Sequence, residues 1–560
     1  MKVNIYRLEK NENEKGSNIT YQTFVEAINA DLYEKQGKAL NIKGNIFEFF
    51  MQEKERDKIY WIEELNKAFK ITSDDYIAGN IYNGILLVRK ADATKPVYAI
   101  TLGHSFASVQ KYCDYNFAMD FAEKEIPMDK VTSKASDFIQ SNKIRALLNI
   151  KQESLVSSKG GESYKFVIGN PNKDVQDVYG KKLECGYSIH FPNNYEIKDV
   201  SDLEKISKLI QNIEHSLTKK SVNSFPRVTY VPRSDKTKIN ILNELLLKSI
   251  KENSKDFEVY ASDFDIIGAD IMLNTNTFSY QLYVNSLSKE TKVVIESFDK
   301  DDLFRFIEGH KDKISNLDDI KVIISSSDYK LPATTISNYL FGIVEYDNDK
   351  YILSSGRWGL VNQTFLTEVE RRLNEISAEL MIQNRTDYFI PYKNEGDFID
   401  SIYKLGGYET LDQKFVFVTE DFEKLKENKI ELADSYNVED DELIAIKLGN
   451  SNQDFIYCFD QMNTAAKAIL YNEEYKIKKQ LISCGIDLSV IERILKCRNT
   501  TVLLGFEQEK YKKTIIAGTF NLNDLESLLL KLKIISSIDY IIDNGMKFKL
   551  YVIPGVKKEN

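Results

Sequence analysis

The sequence predicts a multidomain protein of mixed class, α+β with α/β portions, and three observations carry that expectation. Strand-type apolar runs alternate with helical spacing along most of the chain. At 560 residues the chain exceeds one ordinary domain, which holds about 150. Hydrophobic residues at 42 %, aromatics at 11 % and only 9 prolines supply material for several cores and little for disorder. Punctuation suggests four regions: an N-terminal α+β domain over 1–150, a small glycine-punctuated β-rich region over 151–235, an α/β middle domain over 236–385 and a C-terminal α/β domain over 386–560.

The first region opens with a strand pattern at 3–8 and a helical pattern at 20–35. Apolar runs at 79–90 and 96–103, separated by Ala-Asp-Ala-Thr-Lys, read as a hairpin. The second run ends at Gly103-His104-Ser105 before a helical segment, a weak phosphate-cradle signal set against a plain strand-to-helix turn. Short β-type runs at 164–168 and 187–191 follow, and His190 alternates with apolar neighbours as a strand histidine does. Helices are expected at 201–217, with Ser201 and Glu204 as a capping box, and at 239–251; Pro226 and Pro232 bracket a boundary between them. The middle region then predicts strands at 257–262 and 320–325, a helix at 301–310, a hairpin of 339–346 with 351–354, and a helix at 364–382. Trp358 is expected to anchor a core, with base stacking as the alternative.

Charge and cysteines narrow the class. With 75 basic and 85 acidic side chains the net charge is −10, which excludes the basic field of a DNA-coating protein. The clusters Lys476-Ile-Lys-Lys479 and Lys510, Lys512 and Lys513 read as solvated faces, with phosphate contact as the alternative. Five scattered cysteines show neither CxxC nor zinc spacing and fit a reducing compartment, with Cys458 and Cys484 expected buried. No apolar run approaches the roughly 18 residues of a bilayer span, and the first residues lack a signal-peptide core. A soluble, cytoplasmic protein without a membrane partner is therefore expected.

Several segments together resemble a known family. Tyr98-Ala-Ile-Thr-Leu-Gly-His104, Tyr112-Cys-Asp-Tyr-Asn-Phe-Ala-Met-Asp-Phe-Ala122, Ile126-Pro-Met-Asp-Lys-Val131 and Tyr351-Ile-Leu-Ser-Ser-Gly-Arg-Trp-Gly359 follow the order of motifs in the "sporadically distributed" prokaryotic family of unknown function. The glycine that the family usually carries after the phenylalanine is Ala118 here. The resemblance continues through 429–466. It implies a role in antiviral defence, because such genes are often found near restriction and phage-defence genes.

The last third predicts a helix at 394–404, strands at 414–418, 428–434 and 441–448, a helix at 455–472 and a strand at 501–506. This α-β-β-β-α-β order resembles the core of restriction-endonuclease-like nucleases, which place an acid on the second strand, Glu-x-Lys on the third and often another acid on the first helix. Carried over residue by residue, the resemblance puts Asp434, Lys447 and Glu395 at those positions, with Glu395 and Asp434 as ligands for Mg²⁺ and Lys447 stabilising developing negative charge. Gln461 matches a glutamine expected near the start of the following helix, where the alternative is a helix cap. The pattern has one gap, since Ala445 stands where the third-strand carboxylate belongs. Glu431 or Glu442 can be drawn in to fill it, and Asp412-Gln413-Lys414 offers a second acid-x-Lys in another register.

These readings give two expected functions. In one, the C-terminal domain binds DNA or RNA and, if its carboxylate set is complete, cleaves it. In the other, the chain is a non-enzymatic recognition or scaffold protein that binds a phage protein or a sibling defence subunit. A small-molecule site at Gly103-His104 is a third, weaker expectation.

Overall fold

The computed structural model describes residues 3–12, 17–54, 81–139, 145–149, 160–191, 200–252, 257–259, 264–267, 270–273, 279–284, 293–295, 300–325, 333–354, 356–383, 385–417, 429–471 and 474–558. The expected mixed class holds: helices alternate with several separate sheets. Contacts divide the chain into two compact units, the first built from Met1–Asp137, Arg145–Ser157 and Tyr164–Ile241, the second from Phe138–Ile144, Ser158–Ser163 and Leu242–Asn560.

A ten-stranded sheet organises the first unit. The N-terminal strand Val3–Arg7 lies between Val97–Leu102 and Ile189–Phe191, with Val3 opposite Phe191 and Ile5 opposite both Ile100 and Ile189. Residues on either side of position 150 therefore share one sheet, which corrects the division expected there from glycine punctuation. Glycine turns shorten strands without ending a domain when the strands go on to pair. The helix Val200–Thr218 buries Ile206, Leu209, Ile210 and Ile213 in the same core as Val3, Phe117 and Phe191. Ser201 falls inside this helix rather than before it. The first helix, Thr20–Ala30, stops earlier than its pattern suggested. Leu32 takes a left-handed φ of 66°, and the chain leaves as the strand Glu34–Ile42.

In the second unit, the hairpin Leu340–Tyr346 and Asp349–Ser354 turns on Asp347 and Asn348, whose φ values of 55° and 64° suit a two-residue turn with both centres left-handed. Trp358 is 3 % exposed, and its Nε1 donates to Asn243 Oδ1 at 2.8 Å, so it anchors the core and presents no stacking face.

The remainder of this unit carries the predicted nuclease-like region, and its elements are numbered from here. They are α1 (Gln363–Glu379), β1 (Met381–Ile382), α2 (Glu395–Tyr403), β2 (Tyr408–Thr410), β3 (Phe415–Phe417), β4 (Lys429–Glu431), β5 (Ser435–Asn437) and β6 (Glu442–Gly449). After these come α3 (Asn452–Tyr471), α4 (Glu474–Ser483), α5 (Leu488–Lys496), β7 (Asn499–Phe506), α6 (Glu509–Ile516), α7 (Leu528–Asp543) and β8 (Lys547–Pro554). Six strands form one sheet in the order β1-β8-β7-β6-β5-β2. The pairs β2–β5 and β5–β6 are antiparallel, while β6–β7, β7–β8 and β8–β1 are parallel. Each of β6 to β8 carries a buried apolar stretch, 443–446, 502–504 and 550–553, because a parallel sheet is covered on both faces. Tyr388, Phe398 and Ile402 cover one face against Ile444, Ile446 and Leu503. Ala465, Ala468 and Ile469 of α3 pack on Leu443 from the other.

The strand expected over 428–434 is broken. Only its first part, β4, is strand, paired with β3 in a separate two-stranded ribbon; residues 432–434 carry no strand, and the next strand, β5, begins at Ser435 and joins the main sheet. Asp434 lies in the break.

Candidate metal centre

The break fixes Asp434 from three directions. Its carbonyl accepts from the N–H groups of Leu411 and Asp412 at 2.9 and 3.0 Å, and its own N–H donates to Ile444 O at 3.0 Å. The β5–β6 ladder ends with Ser435 opposite Ile444. Just past that end, Asp434 Oδ2 accepts the N–H of Ile446 at 2.6 Å. The side chain is 5 % exposed and so is held by the sheet itself.

The turn between β2 and β3 brings in a second acid. Gln413 has a left-handed φ of 59°, and its N–H donates to Glu431 Oε1. Glu431 Oε2 accepts from Gln461 Nε2 at 3.1 Å. Carboxylate oxygens of Asp412, Glu431 and Asp434 all lie within 4.8 Å of one another, so the three can hold a metal ion. The donor set is oxygen only, which suits a hard cation such as Mg²⁺ or Mn²⁺. An octahedral shell of about 2.1 Å radius spans roughly 4.2 Å across, a scale compatible with oxygens that lie within 4.8 Å of one another.

Glu395 and Lys447 stand beside this triad as a pair. Glu395 opens α2 behind the N-cap Asn394, whose side chain accepts from Asp397 N at 2.9 Å. Its Oε1 meets Lys447 Nζ at 2.8 Å and its Oε2 accepts from Leu448 N at 3.3 Å. Of the two predicted metal ligands, Asp434 is in the triad, whereas Glu395 is engaged by Lys447. The charges of Glu395 and Asp434 both act on Lys447, which places the predicted acids and lysine in one neighbourhood.

The structure also separates the substitutes for Ala445. Glu431 joins Asp434. Glu442 does not: it is fully buried, receives Lys549 Nζ at 2.9 Å and Tyr551 OH at 3.2 Å, and lies on the opposite strand face from Lys447. In the second acid-x-Lys, Asp412 enters the triad while Lys414 turns to Glu409 at 3.3 Å. Sequence reasoning missed Asp412 and Glu431 as a ligand pair, although both were visible as spare acids. Gln461 is more than two turns into α3 and caps nothing; it positions Glu431.

Burial above all pushes the Asp434 carboxyl up to about 7; the Ile446 N–H opposes this, and the charges of Glu431, Glu395 and Asp412 add to it. Glu431 is also raised, by burial first and by the charges of Asp412 and Glu395, against the Gln413 N–H and Lys447. At Lys447 burial works against the ammonium, but the hydrogen bond and charge of Glu395 outweigh it and the net shift is upward. Burial drives the Cys458 thiol well above its usual range, consistent with packing and not with a nucleophile. Carboxylates crowded until they hold protons are what a bound cation relieves. Replacing Gln461 with Ala frees one oxygen of Glu431 and is expected to weaken Mn²⁺ binding about 10-fold, as loss of a supporting contact generally does, measured by calorimetric titration.

Other sequence-marked positions resolve plainly. At Gly103-His104-Ser105 the polar groups serve the fold: His104 N donates to Asn83 Oδ1 at 2.9 Å, and the buried Ser105 Oγ donates to Gly84 O at 2.7 Å. The helix that follows, Phe106–Gln110, has five residues, too short to build a phosphate cradle. Cys484 is exposed, contrary to expectation, because it lies in the turn just past α4. Lys478 pairs with Glu492 at 2.9 Å, Lys510 with Glu526, and Lys512 with Glu509 at 2.5 Å.

Fold and cluster together define a mixed α/β protein with an acidic centre able to hold a cation. The chain belongs to a family of unknown function (DUF6119), whose model matches residues 3–485 and so contains every residue of the centre. No curated protein and no solved structure matches it. Among the described residues, no helix is long and apolar enough to cross a membrane.

Proposed function

We propose that the centre formed by Asp412, Glu431, Asp434 and Lys447 performs divalent-metal-dependent cleavage of phosphodiesters in DNA or RNA, in a cytoplasmic antiviral-defence setting. The observation that carries this reading is the meeting of an oxygen-only triad with a lysine near the end of a parallel strand, in a sheet whose α2-β2-β5-β6-α3-β7 order, with β3 and β4 set apart in the ribbon, resembles that of restriction-endonuclease-like cores. The defence setting rests on the family resemblance.

A cation in the triad would polarise the phosphate and make water a better nucleophile. Lys447 offers its ammonium to the oxygens on which charge develops, and Glu395 fixes the direction of that ammonium. Asp434 is locked by Ile446 N–H, and Glu431 by Gln413 and Gln461, so the carboxylates are arranged before substrate arrives. Glu431, reaching in from the ribbon, fills the role that Ala445 leaves vacant on β6.

The full chain, offered DNA and RNA with Mn²⁺ or Mg²⁺, is expected to cut one of them and to lose activity in EDTA. Lys447→Met should lower kcat about 100-fold with little change in Mn²⁺ affinity. No cleavage of either polymer with any divalent ion would overturn the proposal. One observation favours the recognition reading as the second choice: Ala445 is fully buried with no acid of its own strand beside it. That reading expects stable co-purification with a partner protein and no metal-dependent cutting.

A further inference from the structure

We infer that Tyr457 is a stacking platform for a nucleobase beside the acidic centre, so that the strand accepted there is unpaired; this rests on the phosphodiester reading above. Tyr457 lies on α3 and is 59 % exposed. Gln461 is one helical turn further on, at i+4, and its amide touches Glu431 of the triad. Residues so spaced on a helix have Cβ atoms about 6 Å apart. The adjacent residue, Cys458, is buried near Asp434 and Lys447, so α3 turns one face to the centre and carries Tyr457 at its rim. The other large aromatic side chains exposed among the described residues are Tyr82, in the first unit, and Tyr403, eight residues along α2 from Glu395.

The charge balance explains why such a platform is needed. The centre gathers four carboxylates around one lysine, and that lysine is paired with Glu395. Lys414 is turned to Glu409, and the paired lysines of α4 and α6 have acidic partners of their own. These lysines are engaged, so affinity for a polymer draws on the bound metal and on uncharged contacts. Stacking is the strongest such contact, worth about 1–3 kcal/mol per base, and it needs a base that has left its helix.

The test uses the full chain with Tyr457→Ala and Tyr457→Phe, and a single-stranded oligonucleotide carrying 2-aminopurine. In Ca²⁺, binding to wild type and to the Phe variant should quench 2-aminopurine fluorescence, and the Ala variant should bind about 10-fold more weakly without quenching. In Mn²⁺, the Ala variant should raise KM about 10-fold with kcat unchanged, and should match wild type on a fully abasic strand. Equal binding and KM in wild type and the Ala variant, with cleavage intact, would overturn the stacking role and leave the phosphodiester reading standing. Tyrosine-dependent quenching without cleavage in Mn²⁺ or Mg²⁺ would uphold stacking and overturn the catalytic reading. Absence of both binding and cleavage would overturn both.

Discussion

Asp434→Asn is expected to reduce Mn²⁺-dependent cleavage by about 1,000-fold, equivalent to ~4 kcal/mol of transition-state stabilisation, while the protein folds normally. The asymmetry follows from the two roles of the side chain. An asparagine oxygen can still accept the N–H of Ile446, so the join between β5 and β6 survives. What it removes is the buried negative charge that completes the triad with Asp412 and Glu431. Asp434→Ala lacks the acceptor as well and would leave Ile446 N–H buried without a partner, a loss of about 1–3 kcal/mol of stability. Comparing the two by chemical denaturation separates the catalytic effect from the structural one. Cleavage by Asp434→Asn within a few-fold of wild type would remove Asp434 from the chemistry.

The second large effect is on stability against pH in the metal-free protein. Asp434 has its carboxyl raised from 3.8 to about 7 on folding, chiefly by burial. Between those values the folded chain holds a proton that the unfolded chain has released. Stability from this group is therefore fullest below about pH 4 and is lost as pH rises through about 7. Asp434→Asn cannot lose that proton. In EDTA the two proteins should melt nearly alike at about pH 4, and the variant should gain on wild type as pH rises, by up to about 4 kcal/mol at pH 8. Each unit of displacement corresponds to about 1.4 kcal/mol, and the raised Glu431 shares part of the effect. A saturating divalent cation should reverse the order at pH 8, because it binds the ionised wild-type triad and stabilises by mass action. Parallel melting curves across this pH range would show that Asp434 is not held in a proton-retaining environment.

Much of the region's order was legible because it is written in local chemistry. Asp347 and Asn348 tolerate the left-handed turn that closes their hairpin, and the apolar runs of β6 and β7 announce strands covered on both faces. The parity of Glu442 and Lys447 was legible too, since residues an odd number apart on a strand face opposite ways. What escaped was set by distant partners. Lys429-Ile-Glu-Leu-Ala-Asp434 alternates like one strand, yet only Lys429–Glu431 is strand, pairing with β3, and no local signal marks where it stops before β5 opens on β6. The approach of Asp412 to Glu431 depends on the left-handed Gln413, a residue with no special taste for that conformation. The helix α7 is apolar nearly all round, because it is buried on most sides, and so lacks the one-sided stripe that announces a surface helix. Lys447 and Glu395 could be singled out because local pattern places strand ends and helix starts, whereas the approach of Asp412, Glu431 and Asp434 depends on the ribbon's fold.

On this reading Asp412, Glu431 and Asp434 hold one divalent cation next to Lys447. Calorimetric titration of the full chain with Mn²⁺ at pH 8, wild type beside Asp434→Asn, tests it most directly. The expected result is one Mn²⁺ per wild-type chain and at least a 100-fold loss of affinity in the variant. Equal binding by the two proteins, or no binding by wild type, would contradict it.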